Sequence, residues 1–225
     1  EIEAFWTIGD NHAMAYAYTK EKKLYVWGRN ADGQLGIGNT TDQNTPQLVT
    51  TVTFDGTGVG EIKKFQGLAY SDDNTVAILT ERGTIYTTGY NNQGHMGNGN
   101  TTTLNTWTIC SNGTGNAANA DCNNFWMTGN GQHAQMWIED SLGNIQCAGY
   151  NNHGSLGNGN ATTQNSFVTP KFQLGSDTER DFKNVKLVAG FPHGNDLSTK
   201  ILTWDGHVFQ CGDNRRGQAS TGWTS

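Results

Sequence analysis

Charged residues and prolines are both scarce in this sequence. Asp, Glu, Lys and Arg together make up 15% of the 225 residues, whereas an average globular protein has about 25%. Helical proteins need such residues on their surfaces, and disordered chains need charge or proline. Only three prolines are present. The shortage therefore argues against a helical fold and against ordinary disorder.

Long apolar runs and an excess of positive charge are missing too. No stretch approaches the roughly 18 apolar residues of a membrane-spanning helix, so we expect no membrane insertion. The formal net charge is −6, whereas nucleic-acid binders are usually basic because phosphate contacts dominate their affinity. We therefore expect no nucleic-acid partner, and we interpret the short cluster Arg215-Arg216 as a solvated turn.

The four cysteines contain no C-x-x-C pair, which argues against a structural zinc site. Cys147 and Cys211 lie in apolar segments and are interpreted as buried thiols. Cys110 and Cys122 flank a polar loop, where a disulfide between them is the alternative. Free thiols are the prediction for all of them.

Glycine, asparagine and threonine are abundant, with 30 glycines, and they suit short strands joined by tight turns. One glycine-rich element recurs four times, at intervals of 61, 60 and 63 residues. Its pattern, G-x-N-x-x-G-x-φ-G-x-G with φ apolar, is complete in the first three copies. The leading glycines, which open the copies, are Gly28, Gly89, Gly149 and Gly212. A pattern with a constant period indicates a repeated structural unit.

Each leading glycine closes an apolar segment, and two more such segments precede it across hairpin-type turns. In the first unit the predicted strands are residues 2–8, 13–18, 24–27 and 47–52. Repeated antiparallel sheets bury their faces by packing around an axis. We therefore predict an all-β fold of β-propeller-type repeats with four blades of about four antiparallel strands. The predicted blades are approximately residues 1–60, 61–120, 121–180 and 181–225, the last incomplete.

The run from Leu24 to Asn39, with its Trp-Gly, Asn, Gly-Gln-Leu-Gly and final Gly, resembles the repeat of the regulator of chromosome condensation family. The resemblance implies a propeller and says little about function. Closed propellers of this family typically have seven blades, whereas four are visible here. We therefore expect a fragment of a longer chain, or further copies, at the open edge, because an exposed sheet edge invites pairing.

Most residues of the repeated element have structural roles in this interpretation. The asparagines two positions after the leading glycines are expected to hydrogen-bond local backbone and to tolerate left-handed conformations; they are Asn30, Asn91, Asn151 and Asn214. Leu35, Met96 and Leu156 are expected to fill apolar space between blades. Asn39, Asn100 and Asn160 match the glycosylation acceptor pattern, and turn chemistry is the favoured explanation.

The sequence shows no motif of a hydrolase, P-loop or zinc enzyme, and its six histidines have no ligand spacing. We predict no enzymatic activity, no cofactor and no metal. Positions that vary between the copies are instead predicted to form a binding surface. These positions are Arg29, Tyr90, Tyr150 and Asp213, and then Asp32, Gln93, His153 and Arg216. Trp107 and Trp223 lie outside the clearest strands and are expected to be exposed.

Composition favours a structural or adhesive module of an extracellular or virion assembly, such as a phage tail fibre. Its loops would bind a protein or a cell-surface glycan. The alternative, implied by the family resemblance, is a cytoplasmic protein-binding propeller that acts as an exchange factor for a small GTPase or as an enzyme inhibitor.

Overall fold

The computed structural model describes residues 1–9, 13–71, 73–110, 121–172, 180–181, 183–193 and 196–217. Within these ranges the chain forms β-strands, turns and loops, and no helix is present. Accordingly, none of the described segments supplies a helix with the length and apolarity needed to cross a membrane. The all-β prediction is confirmed.

Three four-stranded antiparallel sheets follow one another, each with its strands in chain order. Sheet 1 contains β1 (Ile2–Ile8), β2 (Met14–Thr19), β3 (Leu24–Gly28) and β4 (Gln43–Leu48). Sheet 2 contains β5 (Ile62–Tyr70), β6 (Asp73–Thr80), β7 (Ile85–Gly89) and β8 (Leu104–Ile109). Sheet 3 contains β9 (Cys122–Thr128), β10 (Gln135–Asp140), β11 (Ile145–Gly149) and β12 (Gln164–Val168).

The final part of the chain begins with a small hairpin of β13 (Lys171–Phe172) and β14 (Arg180–Asp181). Sheet 4 follows, with three strands among the described residues: β15 (Val185–His193), β16 (Asp196–Thr203) and β17 (Val208–Gly212). The first three strands of each sheet lie where the apolar segments predicted them. The fourth strand of sheet 1 was predicted four residues too late, because Gln43–Leu48 is polar and exposed and gives no apolar signal.

The apolar core lies between the sheets, in one cluster at each junction. At the junction of sheets 1 and 2, the rings of Trp6 and Phe65 stack with their centroids 4.5 Å apart. Leu35, Met96 and Leu156 are fully buried, which confirms their predicted role as apolar plugs. Since each sheet packs only on its neighbours, the stability of such a fold is a sum of local and junction contributions.

All four thiols are free, which confirms the prediction for the cysteines. Cys110 donates a weak hydrogen bond to Thr87 Oγ1 at 3.6 Å. Burial raises the pKa of the Cys110 thiol to about 12 and that of Cys211 to the same level. The thiols are therefore protonated and unreactive at neutral pH.

Candidate binding face at the glycine-rich loops

The repeated glycine-rich element forms the loop between the third and fourth strands of sheets 1, 2 and 3. These loops are residues 29–42, 90–103 and 150–163, and residues 213–217 are the described start of the fourth. Since the strands are antiparallel, the hairpins between first and second strands lie at the same end of each sheet. We call this end the loop face.

A buried asparagine organises each of the first three loops through its side chain, whereas Asn214 of the fourth loop is half-buried. In the third loop, Asn151 Oδ1 accepts a hydrogen bond from the Leu156 amide at 2.8 Å. Its Nδ2 donates to the carbonyl oxygens of Asn160 and Thr162 at 3.1 and 3.0 Å. Asn30 and Asn91 make the same set of bonds in their loops. Local hydrogen bonding is confirmed for these three asparagines, and none of them has a positive φ, so their tolerance of left-handed conformations is not used.

The loop tips also match turn chemistry. Asn39, Asn100 and Asn160 are exposed, and each accepts the amide of the residue two positions later through its Oδ1. The three distances are 2.9, 2.8 and 2.9 Å. The recurrence of Asn-x-Thr in the sequence is therefore explained by a recurring Asx turn.

Each loop lies flat against the next sheet, and glycine permits the approach. Gly36 and Gly97 have φ values of +68° and +64°. A Cβ at Gly36 would lie 2.3 Å from Trp107 Nε1, and a Cβ at Gly97 would lie 2.2 Å from a ring carbon of Phe167. The expectation that Trp107 is exposed is therefore wrong. Trp107 is 6% exposed because it belongs to β8 and supports the loop of the preceding sheet.

In the first three loops, the sixth position after the leading glycine is a buried polar residue next to the following sheet, and its contacts differ between the loops. The main-chain carbonyl oxygen of Gln34 accepts from the Tyr16 hydroxyl at 3.0 Å, and its side-chain Oε1 accepts the Asp32 amide at 2.9 Å. His95 Nε2 lies 2.9 Å from Thr75 Oγ1. Ser155 Oγ accepts from Gln135 Nε2 at 2.7 Å. Each of these three loops is thus held to the second strand of its own sheet by a different polar contact.

The predicted binding residues at the first loop position are buried or half-buried, and their side chains mainly stabilise the loops. Tyr90 is half-buried, and Tyr150 and Asp213 are buried at 4% and 6% exposed. The Tyr150 ring packs edge-on against His133 with centroids 4.5 Å apart. Burial raises the pKa of both tyrosines, and hydrogen bonds to Asn92 and Asn152 oppose this shift. Arg29, also half-buried, lies 3.5 Å from Asp42.

Two predicted residues at the fourth position connect neighbouring sheets. Asp32 Oδ2 accepts the Asn74 amide at 3.1 Å, at the start of the second strand of sheet 2. His153 Nε2 lies 2.6 Å from Asp196 Oδ1, at the equivalent point of sheet 4. At the same position Gln93 is half-buried and Arg216 is exposed. His153 and Arg216 are thus the predicted residues with exposed side chains, and Trp223 lies outside the described residues.

An ionic junction between sheets 3 and 4 is formed by His153, Asp196, Asp213 and Arg215. One ligand atom each of the His and the two Asp residues lie within 4.8 Å of one another. The Arg215 guanidinium contacts both carboxylates, with Nε 2.8 Å from Asp213 Oδ1. Arg215 already supplies a positive charge to these carboxylates, so the cluster functions as an ion-pair network. Arg215 and Arg216 are exposed in a turn, as the sequence indicated, and Arg215 in addition forms these ion pairs.

Sequence reasoning missed the third loop position, which projects from the loop face in all four loops. Its residues, Ala31, Asn92, Asn152 and Arg215, are exposed. In three loops the side chain at this position hydrogen-bonds the one at the first position: Asn92 with Tyr90, Asn152 with Tyr150 and Arg215 with Asp213. The residue types at the first and third positions change together between the copies, from Tyr with Asn to Asp with Arg. This joint change is the signal in the sequence that could have identified the third position.

Residues 22–78 match the family model described as "Regulator of chromosome condensation (RCC1) repeat". This part of the chain is similar to an RCC1 repeat. The Protein RCC2 homolog of Danio rerio is 41% identical over 90 residues, which are 40% of this chain and 16% of that protein. The Ultraviolet-B receptor UVR8 of Arabidopsis thaliana is 27% identical over 215 residues, 95% of this chain and 42% of the receptor.

The structure of Prp20p from Saccharomyces cerevisiae superposes with a TM-score of 0.55 at 15% identity, covering 82% of this chain and 41% of Prp20p. This similarity confirms the propeller-type repeat fold. The chain spans less than half the length of each of these three proteins. A viral or bacterial surface origin, which composition favoured, finds no support in these relatives.

Proposed function

We propose that this chain is a non-enzymatic protein-binding module, and that its loop face contacts the partner. The observation that carries the proposal is the row of exposed third-position side chains, three of which are presented by loops that a buried asparagine holds in place. Binding residues on loops supported by a rigid scaffold are a common arrangement in proteins.

The two histidines of the described glycine-rich loops, His95 and His153, have structural contacts, which supports a non-enzymatic role. His95 is fully buried, and burial lowers its pKa to about 3, which is too low for a general base near neutral pH. His153 is engaged in the ionic junction with Asp196.

The relatives favour the alternative of an intracellular protein-binding propeller over a virion appendage that binds glycans. The structure of Prp20p was determined together with its binding properties to Gsp1p and histones. The net charge of this chain, −6, favours association with a basic protein, since complementary charge speeds encounter. We therefore propose a histone-type partner first and a Gsp1p-type partner second.

Binding of the immobilised chain to purified histones and to Gsp1p, measured by biolayer interferometry, tests this proposal. We expect one of the two to bind and the triple variant Asn92→Ala, Asn152→Ala, Arg216→Ala to weaken that binding by about tenfold or more. The control variant Glu81→Ala, Ser141→Ala changes exposed turns at the opposite end of the sheets and should bind as the parent does. If neither probe binds, or if both variants weaken binding equally, the proposal is wrong.

A further inference from the structure

The two end sheets each have a face that no described residue covers. On sheet 4 this face carries Leu187, Phe191 and Val208, which are 48%, 57% and 67% exposed. On sheet 1 it carries Phe5, which is 54% exposed. Large apolar side chains grouped at such exposure mark interaction surfaces. We call these the sheet 4 end face and the sheet 1 end face.

The internal repeat shows what such faces bind. Val208 begins the third strand of sheet 4, as Leu24, Ile85 and Ile145 begin the third strands of sheets 1, 2 and 3. Those three residues are 3%, 0% and 1% exposed, because each packs in the cluster shared with the following sheet. The side chain of Val208 therefore lies where a following sheet of the same kind is received.

The sheet 1 end face has the complementary position. In strand register, Phe5 is equivalent to Phe125 of sheet 3 and Val188 of sheet 4. Phe125 and Val188 are 0% and 4% exposed, since each packs in the cluster shared with the preceding sheet. Phe5 therefore lies where a preceding sheet is received.

Charge at the two end faces is also complementary. The first strand of every sheet has one irregular residue near its start, namely Glu3, Lys63, Asn123 and Lys186. At the junction of sheets 2 and 3 these residues meet, because Lys63 Nζ lies 3.2 Å from the Asn123 carbonyl oxygen and 3.3 Å from its Oδ1. By the same geometry, sheet 4 packed against sheet 1 would bring Lys186 to Glu3.

We propose that two copies of this chain bind each other end to end, with the sheet 4 end face of each copy against the sheet 1 end face of the other. Both copies then use both faces, and a two-fold axis relates two identical junctions in a closed ring. Closed symmetric assembly of this kind is the commonest form of protein oligomer. The junction would bury Phe5, Leu187, Phe191 and Val208 and would pair Lys186 with Glu3.

Native mass spectrometry and light scattering of the 225-residue chain measure the assembly directly. We expect a mass twice that of the 24.4 kDa chain. Val208→Glu and Lys186→Glu should each raise the dissociation constant of the dimer by about tenfold or more, because each places an unmatched carboxylate at the junction. Glu3→Lys added to Lys186→Glu restores opposite charges and should recover the dimer.

Leu142→Glu is the matched control. Leu142 is 76% exposed in a hairpin turn of sheet 3, away from both end faces, so this variant should keep the mass of the parent. Lys186 is itself exposed, so its replacement leaves the fold intact, as circular dichroism can verify. A monomer at all concentrations overturns the proposal and makes a further repeat of a longer chain the occupant. A dimer that is indifferent to both Val208→Glu and Lys186→Glu overturns it as well.

Discussion

At the scale of single residues, the sequence pattern identifies the structural asparagines better than the exposed side chains. Asn151 and Asn152 are adjacent and chemically identical, yet the first is fully buried and the second is exposed. The recurrence of asparagine at the second loop position marks the buried one. Exposure at the third position depends on contacts between sheets, which the sequence does not display.

We predict that Asn151→Ala lowers the free energy of unfolding by about 2–3 kcal/mol, because it leaves the Leu156 amide and two loop carbonyls without their partner. Asn152→Ala, which removes an exposed side chain, should change it by less than about 0.5 kcal/mol. Urea denaturation of both variants measures the difference. Equal losses would mean that the buried amide does not organise the loop.

The buried imidazole of His95 should make stability depend on pH. Burial lowers its pKa from 6.5 to about 3, so the unfolded chain binds one more proton than the folded chain between these values. The contribution of His95 is therefore fully present above pH 6.5 and is lost as the pH falls towards 3. Between these two pH values, His95 makes the free energy of unfolding rise by about 1.4 kcal/mol per pH unit. Ser155 stands at the equivalent position, so His95→Ser is the fitting comparison, and its unfolding free energy should depend less on pH by this amount.

At the scale of elements, the strands that carry apolar residues were predicted in place, whereas the fourth strand of sheet 1 was predicted with shifted bounds. Gln43–Leu48 is formed from polar residues, and its place follows from pairing with β3. Trp107 was misplaced for the same reason, because the support that a fourth strand gives to the loop of the preceding sheet is a tertiary contact. An aromatic residue, Phe167, stands at the same position of the next repeat, 60 residues after Trp107. This recurrence could have identified both residues as buried strand residues.

Gly97→Ala should destabilise the protein through the close approach of its loop to Phe167. Gly99 is the matched control, because its φ of +83° is similarly left-handed but a Cβ there would meet nothing closer than 3.9 Å. Gly99→Ala therefore measures the backbone strain alone, about 1 kcal/mol. We expect Gly97→Ala to cost about 1–3 kcal/mol more, measured by thermal and urea unfolding. If the two variants are equally stable, the packing of the loop on the next sheet is not tight.

At the scale of the whole molecule, the period of the glycine-rich element was enough to predict four sheets that pack on one another. The ionic junction of sheets 3 and 4 was beyond prediction, since Asp196 reaches His153 from a hairpin 43 residues further along the chain. Among the described residues this network occurs at one junction only, so it leaves no recurring pattern in the sequence.

The polar contacts that cross the sheet junctions carry one more consequence, because Asp32 meets the Asn74 amide between sheets 1 and 2 whereas His153 meets Asp196 between sheets 3 and 4. Because each junction has its own pairing, the sheets are not interchangeable parts, and a gene rearrangement that duplicated or exchanged two repeats would bring mismatched surfaces together. Sequence differences between the copies thus make each sheet pack best on its own neighbour. They protect a chain of similar units from folding with its sheets in the wrong order.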